Sequence, residues 1–253
     1  MADEYILMRP FVVDSSNDQF DLEDSVSGVL NLSLAQGTYD DVISFLAYLD
    51  GVLTASWGNF NSIGVSSAGR VTISRVGGGT FKLFTSAANA VFGDLGYYTG
   101  TDTGFGQSLQ GIYQHANAWY YEGCPEYDWY DRPEIRGQSD LFISEGGIVE
   151  RLTTPKTHYT RGLKFPFVPL EKLFPSFAPT NEDWISFWNS AARGERVGLY
   201  TDGANLSIPS TTADGRYYIE SPLQSLSESE VIRRAPDVPN YSMEILLRKD
   251  VSS

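Results

Sequence analysis

Cysteine is nearly absent. The single residue, Cys124, excludes an internal disulfide framework and a cysteine-built structural zinc site. Histidine is scarce too: His115 and His158 are the only two, and neither stands in an HExxH or comparable ligand spacing. Structural or surface roles are expected for both, because a site needs a constellation of partners. Bases are short, with 18 Lys and Arg against 32 Asp and Glu and a formal net charge of −14. A surface of that sign does not bind nucleic acid by neutralising phosphates. No apolar run approaches the ~20 residues of a membrane-spanning helix. The opening MADEYILMRPF lacks the basic start and long apolar core of a secretory signal. These absences predict a soluble chain made in a cytoplasm.

What is present suits a β-rich globular protein. The chain has 253 residues, 42% of them hydrophobic and 13% aromatic, enough for a substantial core in one large or two ordinary domains. Glycine (24) and tyrosine (15) are plentiful, as tight turns and strands require. The charge is uneven. Residues 1–130 hold 15 acids and 4 bases, net −11, and residues 131–253 hold 17 and 14, net −3.

The pattern predicts an α+β chain in three segments: 1–115, 116–147 and 148–253. In the first, YILMRPFVV reads as an opening strand, with Pro10 marking an edge or a bend. DSSNDQFDLEDSVSG reads as an acidic loop or extended arm carrying Asp14, Asp18, Asp21, Glu23 and Asp24. A helix follows over 38–53, with Thr38 as N-cap, Asp41 three residues on, and Val42, Phe45, Leu46, Leu49 and Leu53 on one face. Val71 and Ile73, then VGGG, then Phe81 and Leu83, predict a hairpin. A second helix is expected from Ser86 through Leu95, stopped by Gly96. Together these make a helix/hairpin/helix unit on a sheet. Residues 98–140 read as loop, and 116–147 as an aromatic and acidic connector. The last segment predicts a mainly antiparallel, sandwich-like set of strands over 148–154, 161–168, 196–202, 215–220 and 241–249. One helix, 181–193, is capped by Thr180 with Asp183 three residues on. In the final strand Tyr241, Met243, Ile245 and Leu247 share a face.

Recognisable chemistry is thin. VGGGT lacks the lysine of a phosphate-binding loop and joins two strands. Asp102-Thr103-Gly104 matches the triplet of aspartic proteases, but no second copy supplies the other carboxylate. The densest cluster is AWYYEGCPEYDWYD. Trp119, Tyr121, Tyr127, Trp129 and Tyr130, beside Glu122, Glu126, Asp128 and Asp131, could present ring faces and carboxylates to a sugar. Two of those acids could hydrolyse a glycoside. The competing reading is an interdomain or intersubunit contact, where tyrosine and tryptophan are also enriched.

Two stretches resemble structural proteins of tailed-bacteriophage virions. One is GRVTIS…GGGTFKLFTSAANAVFGDLGY, through Gly69, Arg70, Val71, Thr72, Ile73, Phe81, Leu83, Leu95, Gly96 and Tyr97. The other is FWNSAARGERVGLYTD…GRYYIE…YSMEILLRK, through Trp188, Gly194, Tyr200, Asp202, Tyr217, Tyr218, Tyr241, Leu247 and Arg248. The resemblance implies a non-enzymatic subunit of a tail ring, distal-tail or baseplate first and tube or connector second. It implies a virion location after assembly in a host cytoplasm. Its partners would be further copies of itself and neighbouring tail proteins, with no cofactor, no catalytic residue and no metal. DNA could pass through an acidic lumen without adhering, and the acidic arm could reach a neighbour. A carbohydrate- or receptor-binding module and a glycoside hydrolase stand as the alternatives.

Overall fold

The computed structural model describes residues 4–57, 60–122, 126–127, 132–143, 149–169, 184–191, 194–201, 205–208, 213–220 and 240–249. The protein is β-rich and α+β, and its strand pairs are antiparallel. YILMRPFVV makes two strands. β1 (Glu4–Met8) and β2 (Phe11–Val13) part at Arg9 and Pro10, where the sequence placed a bend. They enter different sheets. β2 pairs with β5 (Gly37–Tyr39). β1 lies between β10 (Ala118–Glu122) and β14 (Val197–Tyr200).

That places the first strand of the chain inside a sheet built mainly by its second half. The sheet runs β10, β1, β14, β16 (Gly215–Ile219), β17 (Asn240–Lys249), β13 (Val149–Pro169) and β11 (Glu126–Tyr127), and β12 (Arg132–Ile143) also pairs with β13. A strand is returned in exchange: β15 (Asn205–Ser207) pairs with β6 (Phe60–Ser66) in a four-stranded sheet completed by β7 (Val71–Arg75) and β9 (Ser108–Gln110). Residues 98–140, expected as loop, therefore supply strands to two sheets.

Pleating sends alternate residues of the large sheet into two cores. Ile6, Met8, Ala118, Tyr120 and Tyr200 join the core around α1 (Val42–Trp57). Leu7, Trp119, Tyr121, Val197 and Leu199 join the one around α2 (Trp184–Ala191). A sheet covered on both faces demands near-continuous apolar runs, which is why these strands read YILM, AWYY and VGLY. The final strand behaves as its alternation predicts, with Met243, Ile245 and Leu247 buried.

Helix α1 buries the expected face, Val42, Phe45, Leu46, Leu49 and Leu53, together with Trp57. Phe45 stacks on Phe11 at 4.6 Å between ring centroids. Its cap differs from expectation. Thr38 lies in β5 opposite Val12. Asp41 is the N-cap, its Oδ1 accepting from the Ser44 N–H at 2.8 Å and from the Ser44 hydroxyl at 3.0 Å.

Three local expectations give way to long-range pairing. The stretch 14–27 is no free arm: β3 (Gln19–Asp24) is the middle strand of a sheet with β4 (Gly28–Ser33) and β8 (Phe81–Leu83). Nor do Val71–Arg75 and Phe81–Leu83 form a hairpin, since β7 pairs with β6 and β9 while β8 pairs with β3. Between them Gly77, Gly78 and Gly79 all take positive φ (97°, 79° and 95°), and the loop hands the chain from one sheet to another. The third is the helix expected over 86–95. It is a run of turns, because Asn89 sits at φ 58°. There the Asn89 carbonyl accepts from Gln19 N–H at 2.9 Å, and Val91 N–H donates to Gln19 at 3.0 Å. At Asn89 and Val91 the backbone thus bonds to β3, and on either side the segment closes only short turns on itself, such as Ala87 N–H to the Phe84 carbonyl and Leu95 N–H to the Val91 carbonyl. Gly96 does adopt the left-handed conformation expected of it, at φ 83°.

The strands expected at 148–154 and 161–168 are one. β13 is 21 residues long, and its halves have different neighbours. Residues 160–169 pair with β17 inside the large sheet, and residues 149–160 pair with β12 in an unbroken register from Ile143↔Val149 to Arg132↔Thr160. Beyond Thr160, β12 is the one partner of residues 149–159 among the described residues, a ribbon of about 36 Å at ~3.3 Å per residue.

Candidate functional site

Among the described residues, the buried Asp41, Asp24, Arg75 and His115 centre three knots, and in the second Asp24 Oδ1 and Arg75 Nε make no hydrogen bond. The first joins the start of α1 to the large sheet. Asp41 is fully buried, and while its Oδ1 caps the helix its Oδ2 accepts from the Tyr200 hydroxyl at 2.7 Å and from the Arg216 guanidinium. Arg216 crosses the sheet over Gly198, its register partner on β14. A Cβ at Gly198 would stand 3.1 Å from Asp41 Oδ2 and would collide with Arg216, so only glycine admits the guanidinium. Burial, reinforced by the Asp41 charge, raises the Tyr200 pKa far above the usual phenol range. Burial pulls the Arg216 pKa down, but the Asp41 carboxylate outweighs it and the net direction is up. Asp40 sits outside the knot, 3.5 Å from Arg196 and 3.9 Å from Arg216. A phenol held neutral and a guanidinium held charged make a lock between elements, since neither can exchange a proton near neutral pH.

The second knot lies at the other end of α1. Asp24 Oδ2 accepts from Trp57 Nε1 at 2.8 Å and from the Ser27 N–H at 3.1 Å, and pairs with Arg75 at 3.2 Å. Burial works against the ionised Asp24, and the hydrogen bonds from Trp57 and Ser27 outweigh it, so its pKa lies below the ordinary carboxylate range. Arg75 also donates to the Gly78 carbonyl and lies over the Trp57 ring at 5.6 Å. The glycine loop is therefore pinned to the helix end.

The third is His115, with 1% of its surface exposed. Its Nε2 is 2.6 Å from the Tyr120 hydroxyl and its Nδ1 is 2.8 Å from the Ala116 carbonyl. The neutral tautomer protonated on Nδ1 satisfies both, donating to the carbonyl and accepting from the phenol. Burial pushes the imidazole pKa down to about 4. The structural role expected for His115 is borne out.

The acidic stretch is engaged in the same way. Asp14 accepts from Ser16, Asp18 from Gln36 and Gln19, and Glu23 pairs with Lys82 at 2.7 Å. Asp21 and Glu23 lie on β3 with Asp24. The Asp102-Thr103-Gly104 triplet is a turn lock: Asp102 accepts from the Ser86 hydroxyl at 2.6 Å, and Thr103 Oγ1 accepts from the Leu83 N–H at 2.8 Å.

Comparison of the chain with protein-family models, curated proteins and solved structures finds no match.

The aromatic cluster does not form a sugar-facing surface at Trp119 and Tyr121. Both are buried, stacked at 5.9 Å, and each meets Phe165 edge-on. Trp119 also packs on Trp184 of α2 at 5.0 Å. The signal misread in the sequence was strand alternation: Trp119 and Tyr121 serve one core and Tyr120 the other. Tyr127 lies on β11, and Trp129 and Tyr130 lie outside the described residues. Among the described residues, no helix is long and apolar enough to cross a membrane.

The surface offers two features of another kind, both missed in sequence. One is the β12–β13 ribbon, which no other described strand flanks over residues 149–159. The other is an apolar end of the β4-β3-β8 sheet. Val26, Val29, Val76 and Phe105 are 74%, 58%, 52% and 51% exposed there. The turn holding Val26 is tied to the glycine loop holding Val76 by Ser25 N–H to the Thr80 carbonyl at 2.9 Å. Val29, Glu23 and Lys82 stand side by side across the three strands, and Lys82 Nζ lies 5.4 Å from the Phe105 ring.

Proposed function

We propose that this chain is a non-enzymatic structural subunit of a tailed-phage tail, a distal-tail or baseplate ring first and a tube or connector ring second. It acts by assembling with copies of itself. The observation that carries the reading is the β12–β13 ribbon. An isolated two-stranded pair is marginal in water, and three or more strands or a covering layer are needed for stability. A ribbon of this length is stabilised when a neighbouring subunit covers it. The locked ionic knots and the strand exchange between the two halves support the same reading, for they favour a rigid body over a responsive cleft. The sugar-binding alternative loses support, since Trp119 and Tyr121 are core residues.

Imaging of the purified full-length chain by negative-stain electron microscopy tests this. Closed rings of one diameter and one rotational symmetry are expected. Single-copy particles at every concentration would contradict it. In such a ring the carboxylates of residues 1–130 are proposed to line the channel, so that DNA passes without adhering. Their clustering on the outer wall would remove that part.

A further inference from the structure

The hydrogen bonds of β3 fix which way the backbone of β4 points. Asp21 and Ser25 bond toward β8, through Phe84 N–H to the Asp21 carbonyl at 3.0 Å and Ser25 N–H to the Thr80 carbonyl at 2.9 Å. Bonding direction alternates along a strand, so Phe20, Leu22 and Asp24 turn toward β4 and bond their register partners Leu32, Leu30 and Gly28. Leu34 N–H, which donates to the Asp18 carbonyl at 2.8 Å, continues that series. The backbone groups of Val29, Asn31 and Ser33 therefore point out of the edge of the sheet, and all three residues are exposed. Natural edges are usually protected by charge, proline, a bulge or shortness. β4 has six residues, no charge, no proline and an unbroken register with β3. Among the described edge strands, β2, β5, β8, β9 and β15 have three residues and β11 has two, while β10 and β12 carry charged side chains.

We propose that the free edge of β4 pairs, antiparallel and about a two-fold axis at Asn31, with β4 of a second copy of the chain. In that register Asn31 meets Asn31 and Val29 meets Ser33, and each facing pair exchanges two backbone hydrogen bonds. Leu30 then lies beside Leu32 of the second copy, on the face that carries the core around α1. Both leucines pack against that core and are only half-buried in one chain, so pairing covers them further. Two observations choose a second copy as the occupant. The chain carries −14, and an uncharged edge is where two such chains meet without setting carboxylate against carboxylate. The edge also stands next to an unmet need. Asn31 lies directly opposite Asp21, in a pair whose side chains approach closely because its backbone groups point apart. Asp21 Oδ1 is buried without a hydrogen-bond partner. At the two-fold axis each Asn31 amide can donate one N–H to its own Asp21 and the other to its twin's carbonyl oxygen. The contact is isologous and ends at two copies, so it goes beyond the proposed ring and does not depend on it. One strand edge is small beside the ~800 Å² per partner of a stable interface, so free copies pair weakly and covalent capture reads the contact better than mass.

Disulfide capture in the full-length chain tests it, with Cys124→Ser throughout so that each introduced thiol is the sole one. Facing residues of a hydrogen-bonded antiparallel pair stand ~5.5 Å apart at Cα, within disulfide reach. Asn31→Cys is therefore expected to give a covalent dimer under mild oxidation, with no larger covalent species on a denaturing gel. Ser33→Cys alone is the control, because the two Ser33 residues lie roughly 13 Å apart along the paired strands. It is expected to be captured about tenfold less. Val29→Cys with Ser33→Cys restores capture, since each thiol faces the other kind across the axis. That double variant also carries the test should Asn31→Cys fail to fold. Adding Asn31→Lys to it places a lysine beside its own Asp21, which suits the single chain, and like charges across the axis. Capture is expected to fall about tenfold with the melting midpoint kept. Capture of Ser33→Cys as fast as Asn31→Cys would overturn the proposal. So would an Asn31→Cys chain that stays single while its thiol reacts freely with a thiol reagent, or capture that Asn31→Lys leaves unchanged. Covalent pairs without closed rings in the microscope would remove the ring reading and leave this contact standing; rings without covalent pairs would do the reverse.

Discussion

His115, for which the sequence predicts a structural or surface role, lies in the core with both ring nitrogens within hydrogen-bond distance of a partner. Burial acts against protonation of the ring and outweighs the hydrogen bond to the Ala116 carbonyl and the Asp41 charge, both of which favour it. Its folded pKa of about 4 lies below the ordinary value of 6.5. The unfolded chain therefore takes up a proton first as the pH falls, and stability drains away from pH 6.5 down to about 4. The slope is about 1.4 kcal/mol per pH unit for one proton, on the order of 3 kcal/mol across the window. Asp24 acts lower, because a depressed carboxylate contributes stability until the pH drops toward its own pKa. Urea-unfolding midpoints between pH 7 and 5 separate the two. A steady fall is expected in the parent and a flatter line in His115→Gln. A parent midpoint that does not move over that range would contradict the assignment. Gly69 shows the same coupling from the backbone side. It sits at φ 71°, and a Cβ there would stand 2.7 Å from the Tyr120 ring, so the phenol that serves His115 fits only against glycine.

At the scale of elements, the ribbon and the body are separable. Among the residues whose burial is described, both cores draw on the body strands, α1, α2 and the turns over 84–97, and Leu163, Phe165 and Val168 of β13 lie in the half inside the large sheet. Replacing residues 137–155 with a two-residue Asn-Gly turn is therefore expected to leave the melting midpoint within a few degrees of the parent. A large drop by differential scanning calorimetry would mean that the ribbon belongs to the cooperative core. Elements whose burial follows a simple period were legible in the sequence: the apolar face of α1, the alternation of β17 and the break at Pro10. The rest was hidden for definite reasons. Gly77, Gly78 and Gly79 signal a turn wherever the flanking strands go, so sequence alone favours the nearest partner, whereas β7 and β8 pair with strands far along the chain. The run from Ser86 to Leu95 has helical spacing, yet the bonds to Gln19 that hold Asn89 in its turn come from β3, invisible to any local window. RPEIRGQSDLFI carries Pro133, Gly137 and Asp140, residues that argue against a strand, and only its pairing with β13 makes it one.

Seen whole, the molecule is one body in which each half completes the other. β1 is held in the large sheet, β15 in the four-stranded sheet, and the Asp41, Tyr200 and Arg216 knot fastens α1 to β14 and β16. Removing either partner of such a buried ion pair costs about 3–5 kcal/mol, because it strands the other charge. The candidate site was less legible than the fold. Of the aromatic run that drew attention, Trp119, Tyr120 and Tyr121 pack inside, and among the described residues the ribbon and the sheet end carry no motif. The assembly proposed for this chain reduces to mass. The decisive measurement is the solution mass of the full-length chain across a wide concentration range, by sedimentation velocity, beside the ribbon-shortened variant. The account expects the parent to form one closed oligomer of fixed size and the shortened chain to remain a folded monomer. A parent that stays monomeric at the highest concentration would contradict it.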